Sequence, residues 1–153
     1  MITSFRGEHF FLSNFFERAF EWDGLTWRSA EHAYQASKAA DGDKIGKYAI
    51  KMAATPAIAK RLGAKVEMRA DWDEVKYAFM RLIVRAKFSD PEMARLLLAT
   101  GDEELVEGNT WGDKTWGCVL EGGEWEGRNM LGRILMDVRA ELKEAYGKAS
   151  QGG

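Results

Sequence analysis

The stretch DWDEVKYAFMRLIVRAKFS at residues 71–89 constrains the fold more than any other feature of this chain. Its apolar residues recur every three or four positions, which is the period of one face of an α-helix and not of a β-strand. Asp71 and Glu74 have the spacing of a capping box at a helix start. The sequence therefore predicts a helix whose inward stripe is Trp72, Val75, Phe79, Leu82 with Ile83, and Ala86.

Helix start and stop signals mark five further segments of helical periodicity. Ser29 is a predicted N-cap, and Thr55-Pro56 and Asp90-Pro91 combine a capping side chain with proline in the first turn. Glycine then ends or interrupts these segments, as at Gly63. The predicted segments are 29–40, 45–52, 55–63, 90–101 and 129–146.

The predicted β-structure lies mainly near the N-terminus. In FEWDGLTW, at residues 20–27, Asp23-Gly24 is a two-residue hairpin signal between alternating apolar positions. The aromatic-rich stretch 5–16 is also predicted to be extended, and 108–128 to be loops. We therefore expect a mainly α (α+β) fold, a compact helical domain with a small N-terminal antiparallel β element, over residues 1–147, with a polar tail at 148–153.

Composition narrows the class of protein. The 153 residues, 46% hydrophobic and 30% charged, fit one globular domain. A net charge of −2 gives no basic field for bulk nucleic acid, although a nucleotide or one modified base remains compatible with it. The single cysteine, Cys118, excludes an internal disulfide and is interpreted as a buried strand residue. Without a targeting signature or a long apolar run, we expect a cytoplasmic protein that does not contact membranes.

Three clusters could carry chemistry, and the first is WRSAEHAYQ at residues 27–35. Glu31 lies in the first turn of its predicted helix, where a carboxylate either complements the helix dipole or acts in catalysis. His32 points about 100° away from Glu31 on a helix, so the two do not form a dyad. Two histidines and one cysteine do not supply a zinc site, and no metal or cofactor is expected.

The second cluster is GNTWGDKTWG at residues 108–117, where Asp113 lies between Trp111 and Trp116. Tryptophan offers a face on which a base or sugar can stack, and a fixed carboxylate suits an oxocarbenium-like transition state at a sugar's anomeric carbon. The alternative is a surface turn in which Asp113 forms an Asx-turn and both rings fold onto the core. The segment by itself does not decide between these interpretations.

The third cluster is GRNMLG at residues 127–132. Asn129 is interpreted as the N-cap of the last helix, and a helix start can also bind an anion with Arg128 assisting. Lys38 and Lys87 are weaker candidates for binding phosphate. Otherwise the basic residues of the long central helix, which are Lys76, Arg81, Arg85 and Lys87, are interpreted as a solvated face.

Five motifs occur together in a recognisable order. They are WRSAEHAYQASK (27–38), DW-x-x-VK-x-x-x-M (71–80), AKF (86–88), N-x-W-x-D-x-x-WG (109–117) and G-x-N-x-LG-x-x-LM-x-x-R (127–139), preceded by FLSNF (11–15). This pattern resembles the YbiA/NADAR family, also called DUF1768, over nearly the whole chain. The resemblance implies a compact, mainly helical fold and metal-independent N-glycosidase activity on a bond between ribose and a nitrogenous group.

The resemblance also implies substrates and site residues. Family substrates include phosphoribosylamino-pyrimidine intermediates of riboflavin synthesis, and others relate to NAD and ADP-ribose, including ADP-ribosylated guanine in DNA. The expected partner is thus a small ribosylated molecule, ADP-ribose-like or phosphoribosyl, or that modified guanine. By this resemblance Glu31 and Asp113 are catalytic candidates, and the substrate-binding candidates are Asn14, Lys38, Trp72, Trp116 and Asn129. The alternative hypothesis is a non-catalytic ADP-ribose or nucleotide-binding module on the same residues.

Overall fold

The protein is described by a computed structural model that covers the backbone of residues 1–152 and the side chains of residues 1–148. The described chain contains a 3₁₀ helix, six α-helices and two antiparallel two-stranded sheets. The order is a 3₁₀ helix (Gly7–Leu12), β1 (Phe20–Trp22), β2 (Leu25–Trp27), α1 (Ala30–Ser37), α2 (Lys44–Lys51), α3 (Pro56–Gly63), α4 (Trp72–Lys87), α5 (Pro91–Ala99), β3 (Val119–Glu121), β4 (Glu124–Glu126) and α6 (Met130–Gly152). The predicted mainly helical α+β class is confirmed.

The chain divides into two compact units, which are described separately. The middle unit is Asn14–Lys87, and the terminal unit combines Met1–Ser13 with the chain from Phe88 onward. The predicted polar tail at 148–153 belongs to the second of these, and its side chains beyond residue 148 lie outside the described residues. Helix α6 itself continues beyond the predicted end at Tyr146.

The predicted N-terminal hairpin is confirmed in the middle unit. Strands β1 and β2 pair Phe20 with Trp27 and Trp22 with Leu25. Asp23 and Gly24 have φ angles of 54° and 75°, and two successive positive values are what a type I′ turn requires. The Trp27 indole N–H donates to the Trp22 carbonyl at 3.0 Å, which fixes one aromatic ring across the turn.

Side-chain caps set the starts of the helices that follow the hairpin. Ser29 Oγ accepts the His32 N–H at 3.2 Å, and Thr55 Oγ1 accepts the Ile58 N–H at the same distance, as predicted. Asp43 caps α2 by accepting the Gly46 N–H at 2.9 Å. The middle unit's core then closes around Phe20, Trp27, Ala30, Ala33, Ala36, Ile50, Ala53, Ala59 and Ile83. The three alanines of α1 let neighbouring helices approach its buried face closely.

The buried face of α4 differs from the predicted stripe. Its buried residues are Trp72, Met80, Ile83, Val84 and Lys87, whereas Leu82 is 48% exposed. Asp71 binds the Arg69 guanidinium through both carboxylate oxygens, at 2.6 and 3.1 Å, so this ion pair replaces the expected capping-box role of its side chain.

The prediction that Lys87 belongs to a solvated face is wrong, because the last turn of α4 places the Lys87 side chain inside.

Two local predictions in the terminal unit are also wrong. The extended structure expected for residues 5–16 gives way to the 3₁₀ helix, because Gly7 adopts a φ of 56° and adjacent Phe11 and Leu12 are both buried, which strand alternation does not allow. Within the predicted loop, β3 and β4 form a hairpin around Gly122-Gly123, whose φ values are 57° and 82°. The glutamates of this hairpin hide the alternation of apolar and polar residues that marks a strand in a sequence. Cys118 is buried beside β3, and burial raises the pKa of its thiol.

The buried imidazole of His32 predicts that stability falls at mildly acidic pH. Its Nδ1 lies 2.6 Å from Ser29 Oγ and its Nε2 lies 3.0 Å from the Ala53 carbonyl, and burial lowers its pKa. The unfolded chain then binds a proton more readily than the folded one below about pH 6.5. Urea unfolding between pH 7.5 and 5 should isolate the contribution of His32 as the difference in the free energy of unfolding from His32→Gln. This contribution should be constant above that pH and decrease below it, by up to about 1.4 kcal/mol per pH unit, while the lowered pKa of Lys87 gives all variants a shared slope near pH 7.

His9, whose side chain is 30% exposed and which belongs to the terminal unit, supplies the matched control. We expect His9→Gln to keep the decrease and His32→Gln to lose its share of it. An identical pH slope in all three proteins would contradict the assignment to His32.

Candidate active site

Glu31 is the best-defined acidic group in the middle unit. It stands in the first turn of α1, only 7% exposed, and its backbone N–H donates to the Asn14 carbonyl at 3.0 Å. Gln35, one turn later, donates its Nε2–H to Glu31 Oε1 at 2.8 Å. A carboxylate that is removed from water and held by a hydrogen bond keeps one orientation and exerts a strong local field.

Gln35 also links Glu31 to a cation. The Lys38 ammonium donates to Gln35 Oε1 at 3.1 Å, so Lys38, Gln35 and Glu31 form a hydrogen-bonded row along one face of α1. Burial lowers the pKa of Lys38, and the Glu31 charge opposes that decrease. We call these three residues the α1 polar row. The sequence offers the two ends as site candidates and Gln35 only as a residue that can cap or pair locally, and the i, i+4 spacing from Glu31 signals this contact.

Gly63, at the end of α3, packs directly against the α1 polar row. A Cβ built on Gly63 would overlap the side-chain amide of Gln35, so only glycine leaves the Gln35 amide in its place. Gly63 was interpreted from sequence as a helix stop, and the structure adds this second reason for it. The backbone of α3 thus supports the residue that orients Glu31.

Trp72 stands on the first turn of α4 and is 5% exposed. Its ring centroid lies 5.3 Å from that of Tyr34, which is one turn after Glu31 on α1, and 6.0 Å from that of Phe79. The structure therefore places Trp72 in a buried aromatic group beside the α1 polar row. This is the packed position that its helical stripe predicted, with contact to the helix that carries Glu31.

Asn14 is the fourth predicted site residue of the middle unit. Its carbonyl holds the Glu31 N–H, and its Nδ2–H donates to Met80 Sδ at 3.6 Å. Its Oδ1 is buried and has no hydrogen-bond partner among the residues that the structure describes. A buried acceptor without a partner is costly, so a group that donates to it would gain binding energy.

Lys87, which the sequence offers as a weaker candidate for binding phosphate, is buried in the structure. Its side chain is 3% exposed, and burial lowers its pKa to about 7. The ammonium lies 5.9 Å from the ring centroid of Phe16. A lysine with such a pKa exchanges its proton near neutral pH. Its place in the last turn of α4, on the buried side of an amphipathic helix, was the signal available in the sequence.

Asp113, in the terminal unit, organises a turn. Its Oδ1 accepts the backbone N–H groups of Thr115 and Trp116, at 3.0 and 2.9 Å, which is the Asx-turn geometry weighed from the sequence. Its Oδ2 has no hydrogen-bond partner within the described part of the chain. The carboxylate is therefore anchored through one oxygen and leaves the other available.

Asn109 closes the same turn and was not recognised as important from sequence. Its Oδ1 accepts the Asp113 N–H at 3.0 Å, and its Nδ2 donates to the carbonyls of Asp113 and Cys118, at 2.8 and 3.1 Å. Gly117 lies against the Glu107 carbonyl and the Asn109 amide, with no space for a Cβ. This glycine therefore permits a close approach of the chain to itself.

The two tryptophans of the turn differ. Trp111 is 59% exposed, so the alternative in which both rings fold onto the core is wrong for this residue. Trp116 is half-buried, and its carbonyl accepts the Leu131 N–H at 3.0 Å. A cavity of about 720 Å³ lies along the turn, lined by Arg6, Asn109, Thr110, Gly112, Trp125 and neighbouring residues, and neither Asp113 nor Trp116 lines it.

Asn129 connects the turn to α6. Its Oδ1 accepts the Glu107 N–H at 3.0 Å, its Nδ2 donates to the Leu105 carbonyl at 2.8 Å, and its φ is 52°. It therefore holds the 105–107 backbone and does not cap α6 with its side chain. The N–H groups of residues 129, 130 and 131 donate to the carbonyls of 117, 115 and 116, so the chain itself occupies the donors expected to bind an anion.

The predicted residues thus fall into two groups. Glu31 and Lys38 are brought together in the α1 polar row, with Asn14 and Trp72 close to the same helix in the middle unit. The others, Asp113, Trp116 and Asn129, belong to one hydrogen-bonded turn and helix start of the terminal unit. Within the described residues, no group of three His, Cys, Asp or Glu side chains could hold a metal ion. No helix of that part is both long and apolar enough to cross a bilayer.

These features define a mainly helical α+β domain that carries a buried, oriented carboxylate next to an amide and a cation. Residues 4–143 match the family model described as the NADAR domain, so the chain belongs to the NADAR family. The fold is similar to that of the Escherichia coli protein YbiA solved by NMR, with a TM-score of 0.79 and 35% identity, covering 95% of this chain and 87% of that one.

Relatives of known name agree with this assignment. The chain is 43% identical over 139 residues to a riboflavin biosynthesis protein of Vibrio vulnificus; that match covers 89% of this chain but 36% of the larger protein. It is 40% identical over 133 residues to the N-glycosidase YbiA of Shigella flexneri serotype 5b, covering 85% and 79% of the two chains. The names of these N-glycosidase relatives support a glycosidase function.

The anchoring of Asp113 predicts a difference between two substitutions. Asp113→Ala removes the acceptor of two N–H groups and should lower the free energy of unfolding by about 1–3 kcal/mol. Asp113→Asn keeps an acceptor oxygen and should cost less than about 1 kcal/mol. Urea unfolding compares them with Asp102→Ala, which alters a 95% exposed carboxylate and should stay within about 0.5 kcal/mol of the unaltered protein. Equal losses in both Asp113 variants would rule out this anchoring.

The fit of Gly63 against Gln35 predicts a coupling between these positions. Gly63→Ala should lower the free energy of unfolding by about 1–3 kcal/mol through overpacking. In a Gln35→Ala background the colliding amide is absent and only the Cβ of residue 35 stays close, at 3.0 Å, so the same change should cost clearly less. Gly147→Ala, at a helical glycine with nothing near its Cβ position, is the control. Additive effects in the double-mutant cycle would show that Gly63 does not support Gln35.

Proposed function

We propose that this chain is an N-glycosidase that hydrolyses the bond between C1′ of a ribosyl group and the nitrogen of a base. The observation that carries the proposal is the Glu31 carboxylate, 7% exposed and oriented by Gln35. Family membership and the N-glycosidase relatives supply the reaction class.

The chemistry follows from the charge that develops when a ribosyl C–N bond breaks. The bonding electron pair leaves with the nitrogen, and C1′ and the ring oxygen share the resulting positive charge. A fixed carboxylate in a dry environment stabilises such a charge without having to reorganise. Glu31 takes this role in the proposal, or orients the water whose oxygen bonds to C1′ while its proton passes to the leaving base.

Substrate-binding roles are proposed for the neighbours of Glu31. Asn14 Oδ1, a buried acceptor, suits a ribose hydroxyl that donates to it. Lys38, at the end of the α1 polar row, suits a phosphate or hydroxyl, and Trp72 forms an aromatic wall with Tyr34. These proposals rest on contacts within the middle unit.

For the terminal unit, the proposal follows the family motif. Asp113 is proposed as the second catalytic carboxylate, acting through Oδ2 as acid, base or holder of ribose hydroxyls, and Trp116 as a stacking surface. Asn129 is proposed as a substrate-binding residue because of its position in the G-x-N motif. Its amide contacts with Leu105 and Glu107 favour a positioning role.

The substrate class is a ribosylated base. Candidates are a phosphoribosylamino-pyrimidine, NAD, ADP-ribose and ADP-ribosylated guanine in DNA, and the riboflavin biosynthesis name of one relative favours testing the first of these. Incubation with each, followed by mass spectrometry, should yield the free base and the ribosyl product from at least one. If the candidates bind but are all recovered intact, that result would contradict the proposed N-glycosidase activity and support a nucleotide-binding module.

The central role of Glu31 predicts the behaviour of Glu31→Gln. This substitution keeps the shape and an oxygen that Gln35 can donate to, but removes the negative charge. On the substrate cleaved by the unaltered protein, kcat should fall by about 10²-fold or more, because general acid–base or electrostatic help of this kind has that size. Single-turnover product formation is the measurement, with circular dichroism confirming an intact fold.

Glu74→Gln makes the same chemical change at an exposed position of the middle unit and serves as the control. It should retain the activity of the unaltered protein. A folded Glu31→Gln variant with full kcat would remove Glu31 from the reaction.

A further inference from the structure

The middle unit contains a cavity that lies apart from the α1 polar row. Its volume is about 820 Å³, within the range of roughly 300–1,000 Å³ common for small-molecule sites. It is bounded by the β1–β2 hairpin, α2, α4 and the end of α1, where Ala36 and Ser37 line it. These two residues are at least about 100° around α1 from Glu31, so the cavity opens on another face of that helix.

One side of this cavity is aromatic and apolar. Trp22 packs edge-to-face on Phe79 with ring centroids 6.0 Å apart, and 6.3 Å from the ring of Trp27. Leu25 and Leu82 extend this wall, although they are 47% and 48% exposed. An apolar wall that the core leaves in contact with water can gain energy by packing against a flat ligand.

Helix α2 adds basic residues to the lining of this cavity, together with the aromatic Tyr48. Helix α2 contributes Lys44, Lys47 and Lys51, whose spacing of three and four residues places them on one face. Lys47 lies 3.5 Å from Asp41, which is itself exposed. Neither Lys44 nor Lys51 has an ion-pair partner within 4.0 Å among the described residues. A row of lysines on a solvated helix is ordinary, but here it lines the same cavity as an aromatic wall.

We propose that this cavity binds a phosphorylated heteroaromatic molecule of mononucleotide size. Its planar ring packs on the part of the wall formed by Trp22 and Leu25, beside the Phe79 ring, over which the Arg69 guanidinium lies at 5.0 Å. Its phosphate binds Lys44 and Lys51. The carboxylates on the cavity rim, Asp23 and Asp41, do not cancel this preference. Asp41 is matched by Lys47, and Lys44 and Lys51 together outnumber Asp23, while the charge of Arg69 is already matched by Asp71. The proposal does not depend on the role of Glu31.

Isothermal titration with three probes tests both halves of the site. Adenosine monophosphate should bind to the unaltered protein, and adenosine and inorganic phosphate should each bind at least about tenfold more weakly, because each keeps only one half of the contacts. Binding of inorganic phosphate as tight as that of adenosine monophosphate would overturn the aromatic half. Adenosine binding of equal strength would overturn the phosphate half, and no binding of adenosine monophosphate would overturn the proposal.

Charge-matched variants locate the binding. Lys44→Gln combined with Lys51→Gln should weaken adenosine monophosphate binding by about tenfold or more, as expected for loss of charge-assisted contacts. Arg61→Gln combined with Lys65→Gln removes the same charge from exposed positions outside the cavity and should leave the affinity within about twofold. Glu31→Gln should also retain the affinity. Equal weakening by both double variants, or loss of binding in Glu31→Gln, would overturn the proposal.

Discussion

The hydrogen bond from Gln35 to Glu31 is the interaction on which this account depends. A carboxylate with 7% exposure loses most of its hydration, and that loss must be offset by contacts that hold the charge in place. Gln35 supplies one such contact at 2.8 Å, and Lys38 reaches the same amide from the other side. Gly63 leaves the space that this amide occupies, so a glycine on α3 helps determine the orientation of an acid on α1.

The sequence predicted the features that depend on local rules. The Asp23-Gly24 turn and the Ser29 and Thr55 caps each follow from a few neighbouring residues. The spacing along α1 signals the contacts of Gln35 with Glu31 and Lys38, but not that Gly63 packs against that amide. The burial of Asn109 and Lys87 did not follow from the sequence, since it depends on how the turn closes and on what packs around the end of α4. The β3–β4 hairpin was missed because its glutamates hide the alternation that marks a strand.

The segment GNTWGDKTWG shows how one motif can serve structure and chemistry together. Asp113 anchors the turn through Oδ1, while the carbonyls of residues 115–117 accept the first N–H groups of α6. This explains physically why the D-x-x-WG and G-x-N motifs occur together, because each completes the hydrogen bonds of the other. A catalytic role for Asp113 is compatible with this arrangement through its second oxygen.

The central claim is that Glu31 stabilises positive charge on a ribosyl ring, and binding of a charged mimic tests it most directly. An iminoribitol carries a protonated ring nitrogen at neutral pH, and its carbocyclic counterpart has the same shape without the charge. The account predicts that titration calorimetry finds the charged compound bound about tenfold or more tightly than the neutral one, and that Glu31→Gln abolishes this preference. Equal affinities in the unaltered protein, or a preference that survives in Glu31→Gln, would contradict it.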